Sequence, residues 1–442
     1  MEFGKHIGKG LWGFADKMLA VIYGLGFIFL VIRVLPEHEY GSFVIIQAIF
    51  ILITAVGTSF ALQPLIKFAS ETENYGSVTT TSFLLHFGFL LFASVIVVIV
   101  RIPLAILLDV SNAAYLSDLF LFIPLLILAS FLKSFLISLL QTRFRVAEIF
   151  WIDSIFFLGS LILFYVAKCF SSLHTARDVI YITATTHFLS TLIAILLTKK
   201  IIKFEKKIDK DTFAKVFQFG KYSLASSLSF SLYAQMDIFL LSYFGGVVQV
   251  AIYSAAKIFT RIFDVFNQVI QLFVVPASSK LNARNDTGSL QVLIEKSIWF
   301  STLALLPLLI LLLFGADFLI SFFYKGRYAD ASLPLRIFGL LALITPWFSV
   351  LPSILVGTGK VKQGLYISWV FIVVSVILFS IFIPIWGAVG AAISIIIASV
   401  ILSISSAFVV NKSIKIRPRK LFSRTTDIKE FLKQYFLKSD AK

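Results

Sequence analysis

The chain has 442 residues, of which 59% are hydrophobic and only 14% are charged, and its mean hydropathy is +0.96. Soluble domains carry charge on about a quarter of their residues, so this composition excludes a soluble globular protein and indicates an integral membrane protein. The net charge of +16 is not a nucleic-acid footprint. The basic residues lie in short segments beside apolar stretches, where they would meet anionic lipid.

Apolar stretches of about 20 residues, enough to cross roughly 30 Å of hydrocarbon as a helix, recur along the whole chain. Their uniform hydrophobicity predicts helices rather than barrel strands, whose lipid-facing residues alternate with polar ones. The sequence therefore predicts an all-α polytopic fold with about twelve transmembrane helices, of which the eighth could be broken. The predicted spans are 11–32, 43–63, 80–100, 115–140, 150–167, 179–198, 217–243, 247–275, 296–315, 332–357, 364–384 and 388–410.

Lysine and arginine are unevenly shared between the two sides of the predicted membrane. With a cytoplasmic N-terminus, the inner segments carry a large excess of basic over acidic residues, whereas the outer loops are balanced. By the positive-inside rule, this distribution predicts that both termini are cytoplasmic.

A polar, lysine-rich segment separates the first six predicted spans from the last six. We therefore predict an N-terminal six-helix lobe at 1–198, a cytoplasmic linker at 199–216 and a C-terminal six-helix lobe at 217–410. Six spans in each half give both lobes the same orientation, as in transporters built from parallel repeats. The tripeptide Phe-Gly-Lys occurs at 3–5 and again at 219–221, which supports pseudo-symmetry, although chance could produce so short an echo.

The segment 411–442 is predicted to be a basic cytoplasmic tail. Within it, apolar residues recur at helical spacing between Ile428 and Phe436, lysines occupy the other face, and Asp427 can cap the start. The pattern predicts an amphipathic helix lying on the membrane surface. A disordered tail is the alternative.

The eighth predicted span has one polar face. Lys257, Arg261, Asp264 and Gln268 all project within about 60° of one direction when the residues are placed at 100° intervals. Polar side chains inside a membrane face a bundle interior or a water-filled cavity, so these four residues are the first candidates for a substrate pathway. The alternative is a structural cluster in which Asp264 pairs with Arg261, but two cations against one acid leave an excess positive charge.

Three further lysines lie inside predicted spans and are candidates for the same pathway. They are Lys17 in the first span, Lys133 in the fourth and Lys221 in the seventh. For each of them, extension of the ammonium group to the membrane surface is an equally good explanation.

No pattern in the sequence indicates an enzyme. There is no catalytic motif, no His/Cys/Asp set at metal-ligand spacing and no glycine-rich phosphate loop, so we expect no catalytic residue, no metal and no cofactor. The Asp209-Lys-Asp211 sequence is a lone match to an acidic motif within a charged loop, and the predicted outer loops are too short to carry a catalytic domain.

Several motifs resemble the polysaccharide (O-antigen type) flippases of the multidrug/oligosaccharidyl-lipid/polysaccharide (MOP) exporter superfamily. The stretch RVLPEHEYGSF at 33–43 is similar to the family's R-x-L-x-x-x-x-Y-G-x-[FY] pattern. In the second half, DIFLLSYFGG at 237–246 and AIYSAA at 251–256 resemble D-x-x-L-L-x-x-x-G and [VA]-x-Y-x-x-A. Two later runs, LPSILVGTGK at 351–360 and GAVGAA at 387–392, are also similar to it.

The resemblance implies two six-helix lobes around a central cavity. It also implies a transporter that flips an undecaprenyl-diphosphate-linked oligosaccharide from the inner to the outer leaflet of a bacterial plasma membrane, for the biosynthesis of surface polysaccharide such as O-antigen, lipopolysaccharide or exopolysaccharide. Expected partners are this lipid-linked substrate, membrane lipids, a polysaccharide polymerase and a chain-length regulator, and no nucleic acid. Two transporters remain as alternatives, an ion-coupled multidrug or cation antiporter of the same superfamily and a lipid II flippase.

Overall fold

The computed structural model describes residues 3–72, 75–205 and 209–416. The described residues form fifteen α-helices. They are α1 Phe3–Phe27, α2 Glu37–Gly57, α3 Gln63–Ser70, α4 Gly76–Leu108, α5 Ala113–Phe120, α6 Ile123–Thr142, α7 Val146–Cys169, α8 Ala176–Thr198, α9 Lys210–Lys257, α10 Arg261–Ala283, α11 Thr287–Phe314, α12 Ala316–Tyr324, α13 Ser332–Gly339, α14 Leu341–Gly357 and α15 Val361–Asn411. The predicted amphipathic tail helix lies outside the described residues.

The helices account for the predicted number of spans. Nine helical segments of the described chain are long and apolar enough to cross a membrane, and a bent pair, Ala329–Gly339 with Leu341–Gly357, makes a tenth. Two of the nine, Ser231–Ala283 and Val361–Asn411, have 53 and 51 residues, which is enough for two crossings each. The backbone of each leaves the helical conformation once, at Gly246 and at Gly387. Counting these two segments as two spans each gives twelve, so the prediction of an all-α polytopic fold is confirmed.

Short polar motifs begin several helices. Thr175 and Asp178 form a reciprocal capping box at the start of α8, and Asp286 accepts from the Ser289 backbone N–H at 2.9 Å at the start of α11. These side chains satisfy amide groups that have no partner within the helix.

Many hydroxyl groups inside the spans bond to their own helix. Ser42, Thr79, Ser94, Thr198 and Ser375 each donate to the carbonyl four residues earlier, at 2.6–2.8 Å. Since hydrocarbon offers no other acceptor, this arrangement lets small polar residues pack between helices without an unsatisfied donor.

The chain contains two compact units, Met1–Ile252 with Phe323–Arg327, and Tyr253–Phe322 with Tyr328–Lys442. The first unit has a continuous apolar core drawn from α3, α6, α7 and α8. Its fully buried members include Leu65, Phe135, Leu139, Ile152 and Ala194. The lobe and linker boundaries expected at 1–198, 199–216 and 217–410 stay a prediction.

Candidate functional site

The polar stripe of the eighth span crosses a change of helix type. Helix α9 ends at Lys257, a 3₁₀ turn occupies Ile258–Thr260, and α10 begins at Arg261. The Lys257 side chain is half-buried, and its Nζ lies 5.5 Å from the ring centroid of Tyr253, whose own side chain is fully buried. Because an aromatic face attracts a cation, Tyr253 helps to hold the ammonium group in place.

Arg261, Asp264 and Gln268 are exposed on the surface of the second unit. Lys257 and Arg261 both act electrostatically on the Asp264 carboxylate. In the described part of the chain, however, no ion pair joins Arg261 to Asp264, so the guanidinium is not neutralised by direct contact with that acid. The four candidate residues thus form a stripe with two cations and one acid.

The rest of α10 has one packed face. The helix buries Phe263, Ile270, Val274 and Ser278 within the second unit. Several of its other apolar side chains are exposed, and Phe273 reaches 69%, whereas Phe266 and Val275 are half-buried. The polar stripe is therefore separate from the face that packs within the second unit.

The structure brings Lys133 together with two acids from other helices. Lys133 on α6 is buried, and its Nζ lies 2.8 Å from Asp153 Oδ1 on α7 and 4.1 Å from the Phe156 ring centroid. Asp16 on α1 interacts with both Lys133 and Asp153, and its buried Oδ1 has no hydrogen-bond partner. Lys133 thus has a charged partner on a neighbouring helix. Extension of its ammonium group to the membrane surface does not explain this contact.

His187 on α8 lies beside the same cluster. Its ring centroid is 4.2 Å from that of Phe156, and Lys133 acts on it electrostatically. Spacing along the sequence does not reveal this convergence, because the members come from four separate helices.

The two remaining candidate lysines occupy different surroundings. Lys17 is exposed next to half-buried Asp16, and Lys221 is exposed with its Nζ 5.0 Å from the Tyr222 ring centroid. Within the described residues, no group of three His, Cys, Asp or Glu side chains could hold a metal ion.

The motif at 33–43 lies against the residue that follows the motif at 237–246 in the first unit. A Cβ on Gly41 would collide with the carbonyl oxygen of Val247, so only glycine permits this approach of α2 to the break in α9. Gly246 supplies the break itself, with φ of 75°, a conformation that glycine adopts without steric cost.

Asp109, which the sequence analysis did not single out, fixes the same break. Its carboxylate accepts from the backbone N–H groups of Ser111 and Val247, each at 2.9 Å, and Ser242 Oγ donates to the Leu108 carbonyl at 2.9 Å. The sequence contains a partial signal, since aspartate just after a helix and before Ser and Asn is typical of a side-chain-capped turn.

Comparison with solved structures defines the class of this fold. The fold is similar to that of the lipid II flippase MurJ in an inward closed conformation, with a TM-score of 0.72 at 17% identity over 95% of this chain and 89% of that one. It is also similar to a multidrug resistance MATE family transporter of the MOP superfamily in an inward-facing conformation, with a TM-score of 0.67 at 16% identity over 92% and 94% of the two chains. The protein therefore has the fold of MOP superfamily membrane transporters.

A family model described as polysaccharide biosynthesis protein matches residues 30–333, and the chain belongs to that family. An uncharacterized membrane protein of Methanocaldococcus jannaschii is 24% identical over 266 residues, which are 58% of this chain and 51% of that protein. The probable low-salt glycan biosynthesis flippase Agl15 of Haloferax volcanii is 26% identical over 186 residues, 40% of this chain and 38% of that protein. The matches thus span about half or less of these curated relatives.

Proposed function

We propose that this protein is a flippase that moves an undecaprenyl-diphosphate-linked oligosaccharide from the inner to the outer leaflet of a bacterial plasma membrane. In this role it would supply a polymerase and a chain-length regulator that assemble surface polysaccharide. Family membership, the flippase name of the Haloferax volcanii relative and the transporter fold support the proposal. The residue-level support is a stripe with excess positive charge inside a membrane-crossing helix.

The physical problem of the proposed reaction is the charge of the diphosphate. Moving a small ion from water into a medium of low dielectric constant costs of the order of 20 kcal/mol in the idealised case, so the hydrocarbon excludes the headgroup. A pathway that carries fixed cations removes most of that barrier. A pathway for organic cations would instead need excess acid, and this feature separates the proposal from the antiporter alternative.

In the proposed pathway, Arg261 binds a phosphate through the two-pronged guanidinium and Lys257 binds it as a point charge. Asp264 and Gln268 set the positions of these two cations. The proposal extends to Lys17, Lys133 and Lys221 as further cations along the route, and Lys133 would act there while paired with Asp153.

The test replaces each cation and separates transport from folding. Losing a charge-assisted contact costs roughly 1.5–3 kcal/mol, a factor of about 10–150 in affinity. Lys257→Ala and Arg261→Ala should therefore insert and fold normally but fail to restore surface polysaccharide in a flippase-null strain. Arg261→Lys should be partly active, because it keeps the charge and loses the fork. The control is Lys280→Ala, which removes an exposed charge from the last turn of the same helix and should export normally.

One result would overturn these roles. If the Lys257→Ala and Arg261→Ala variants misfold, and removing Asp264 as well restores both folding and export, the stripe is a structural cluster.

A further inference from the structure

In the first unit, two lysines lie against a pair of packed aromatic rings. Phe68 on α3 and Phe219 on α9 pack edge to face with their centroids 5.6 Å apart. The Lys67 Nζ lies 4.7 Å from the Phe219 centroid and 5.2 Å from the Phe68 centroid. The Lys215 Nζ lies 4.7 Å from the same Phe68 centroid. The Phe68 ring is therefore shared by both ammonium groups.

A second aromatic ring holds two more cations. The Arg143 guanidinium carbon lies 4.1 Å from the Tyr75 ring centroid, and the Lys203 Nζ lies 5.2 Å from it. The Tyr75 ring is buried, and its hydroxyl donates to the Ile201 carbonyl at 2.6 Å. The ring is thus a fixed platform rather than a mobile surface side chain.

All four cations lie on the same side of the membrane. They come from the connections after the second, fourth and sixth spans and from the first turns of α9, and the ends of even-numbered spans share one side. Tyr75 also belongs to the same apolar cluster as Leu65 and Ala69 of α3, which brings the two platforms to one surface.

These four cations have no acidic partner among the residues that the structure describes. In the part of the chain that the structure describes, Lys67, Arg143, Lys203 and Lys215 form no ion pair, whereas Arg145 pairs with Glu148 at 2.6 Å. An aromatic face attracts a cation without neutralising it. Four fixed positive charges at the membrane boundary therefore remain available to an anion.

We propose that the Lys67/Lys215 and Arg143/Lys203 platforms bind the phosphate headgroups of anionic membrane phospholipids. A phosphate oxygen accepts strong hydrogen bonds from ammonium and guanidinium groups, and the lipid brings that phosphate to the depth at which these helices end. The inference goes beyond the proposed flippase activity, because it concerns lipids that stay bound on one side rather than the transported molecule.

The test measures phosphatidylglycerol that stays bound to the full chain. The protein is placed in nanodiscs of phosphatidylcholine with phosphatidylglycerol, extracted in mild detergent and weighed by native mass spectrometry. Each basic residue near an anionic surface contributes about a fivefold factor in binding, so Lys67→Gln/Lys215→Gln should reduce retention roughly 25-fold if the charges act independently. Phe219→Leu, which keeps both charges and loses one ring, should reduce it less.

The matched control is Lys199→Gln/Lys200→Gln, which removes two exposed charges from the same side and should retain nearly all of the lipid. Equal loss in the control and in the platform variant would overturn the proposal, because bulk charge would then explain the binding. Displacement of phosphatidylglycerol by a trace of undecaprenyl diphosphate would also overturn it, by making the surface a substrate site. If a double variant elutes as aggregate, the single variants and a salt titration of the wild type test the proposal instead. Phosphatidylglycerol retention that does not depend on salt would contradict it.

Discussion

The ion pair between Lys133 and Asp153 leads to a quantitative prediction about stability. The side chains are 9% and 17% exposed, and the atoms Nζ and Oδ1 are 2.8 Å apart. At an effective dielectric constant of about 20, the attraction at that distance is roughly 6 kcal/mol. Desolvation of the two ions offsets most of this energy, so the intact pair contributes little net stability. Removing one partner, in contrast, leaves an uncompensated charge and costs about 3–5 kcal/mol.

We therefore expect Lys133→Met to lower the free energy of unfolding by about 3–5 kcal/mol. The loss should fall at the upper end of that range, because Asp16 adds a second carboxylate to the site. The double variant Lys133→Met/Asp153→Leu should recover the part of the loss that comes from Asp153, while the Asp16 carboxylate stays without its cation.

The assay is unfolding of the purified protein by sodium dodecyl sulfate in mixed micelles, followed by surface-polysaccharide export in cells. Recovery of both stability and export by the double variant would assign Lys133 a structural role. Recovery of stability without export would keep Lys133 in the proposed pathway. A Lys133→Met variant as stable as wild type would refute the reasoning about the buried pair.

Three further predictions concern the fold. Gly41→Ala should lower thermal stability in detergent, because the new Cβ collides with the break in α9. Gly88→Ala should not, since no atom lies within 4 Å of its new Cβ. Equal melting temperatures of the two variants would contradict the close approach. The Asp286 carboxylate accepts hydrogen bonds from Ser289, which lowers its pKa below the ordinary 3.8. The charged cap therefore stabilises α11 above that pH, and this stabilisation is lost as the pH falls through the lowered pKa. Removing this cap with alanine should then destabilise the protein at about pH 7 and have a smaller effect once the pH falls below the lowered pKa of Asp286. An effect that does not change with pH would contradict the contribution of the charged cap. In a variant without the native cysteine, new cysteines at His174 and Asn285 should react with an impermeant reagent from opposite sides of the membrane, and labelling from one side would make the span count wrong.

The span count could be predicted because the spans depend on local hydrophobicity alone. The breaks at Gly246 and Gly387 fall in the three-residue gaps predicted at 244–246 and 385–387, and the eighth span is interrupted by the 3₁₀ turn at Ile258–Thr260. Each of these follows from residues that are adjacent in sequence.

The bend of the tenth span was harder to predict from its residues. Pro346 and Pro352 predict a kink where proline removes a backbone donor, but both lie inside α14, and the 46° bend is at the boundary of α13 and α14 near Leu340. Packed helices supply other partners to the freed carbonyl groups, so a proline alone does not determine where a span bends.

The convergence of charged side chains could not be predicted, since it depends on how helices pack. Nothing in the spacing of Asp16, Lys133 and Asp153 shows that they come together. The stripe from Lys257 to Gln268 was visible from the sequence because it lies along a single span, and its role in transport stays a prediction.

Translocation by the purified protein tests the central proposal most directly. The wild type and Arg261→Ala are reconstituted in vesicles that carry an undecaprenyl-diphosphate oligosaccharide in both leaflets, and a membrane-impermeant oxidant then attacks the exposed sugars. The account predicts that oxidation rises from about half of the lipid-linked sugar in protein-free vesicles to nearly all of it with wild type, and stays near half with Arg261→Ala. Oxidation that stays at half with folded wild-type protein would contradict the assignment of this chain as a flippase for lipid-linked oligosaccharide.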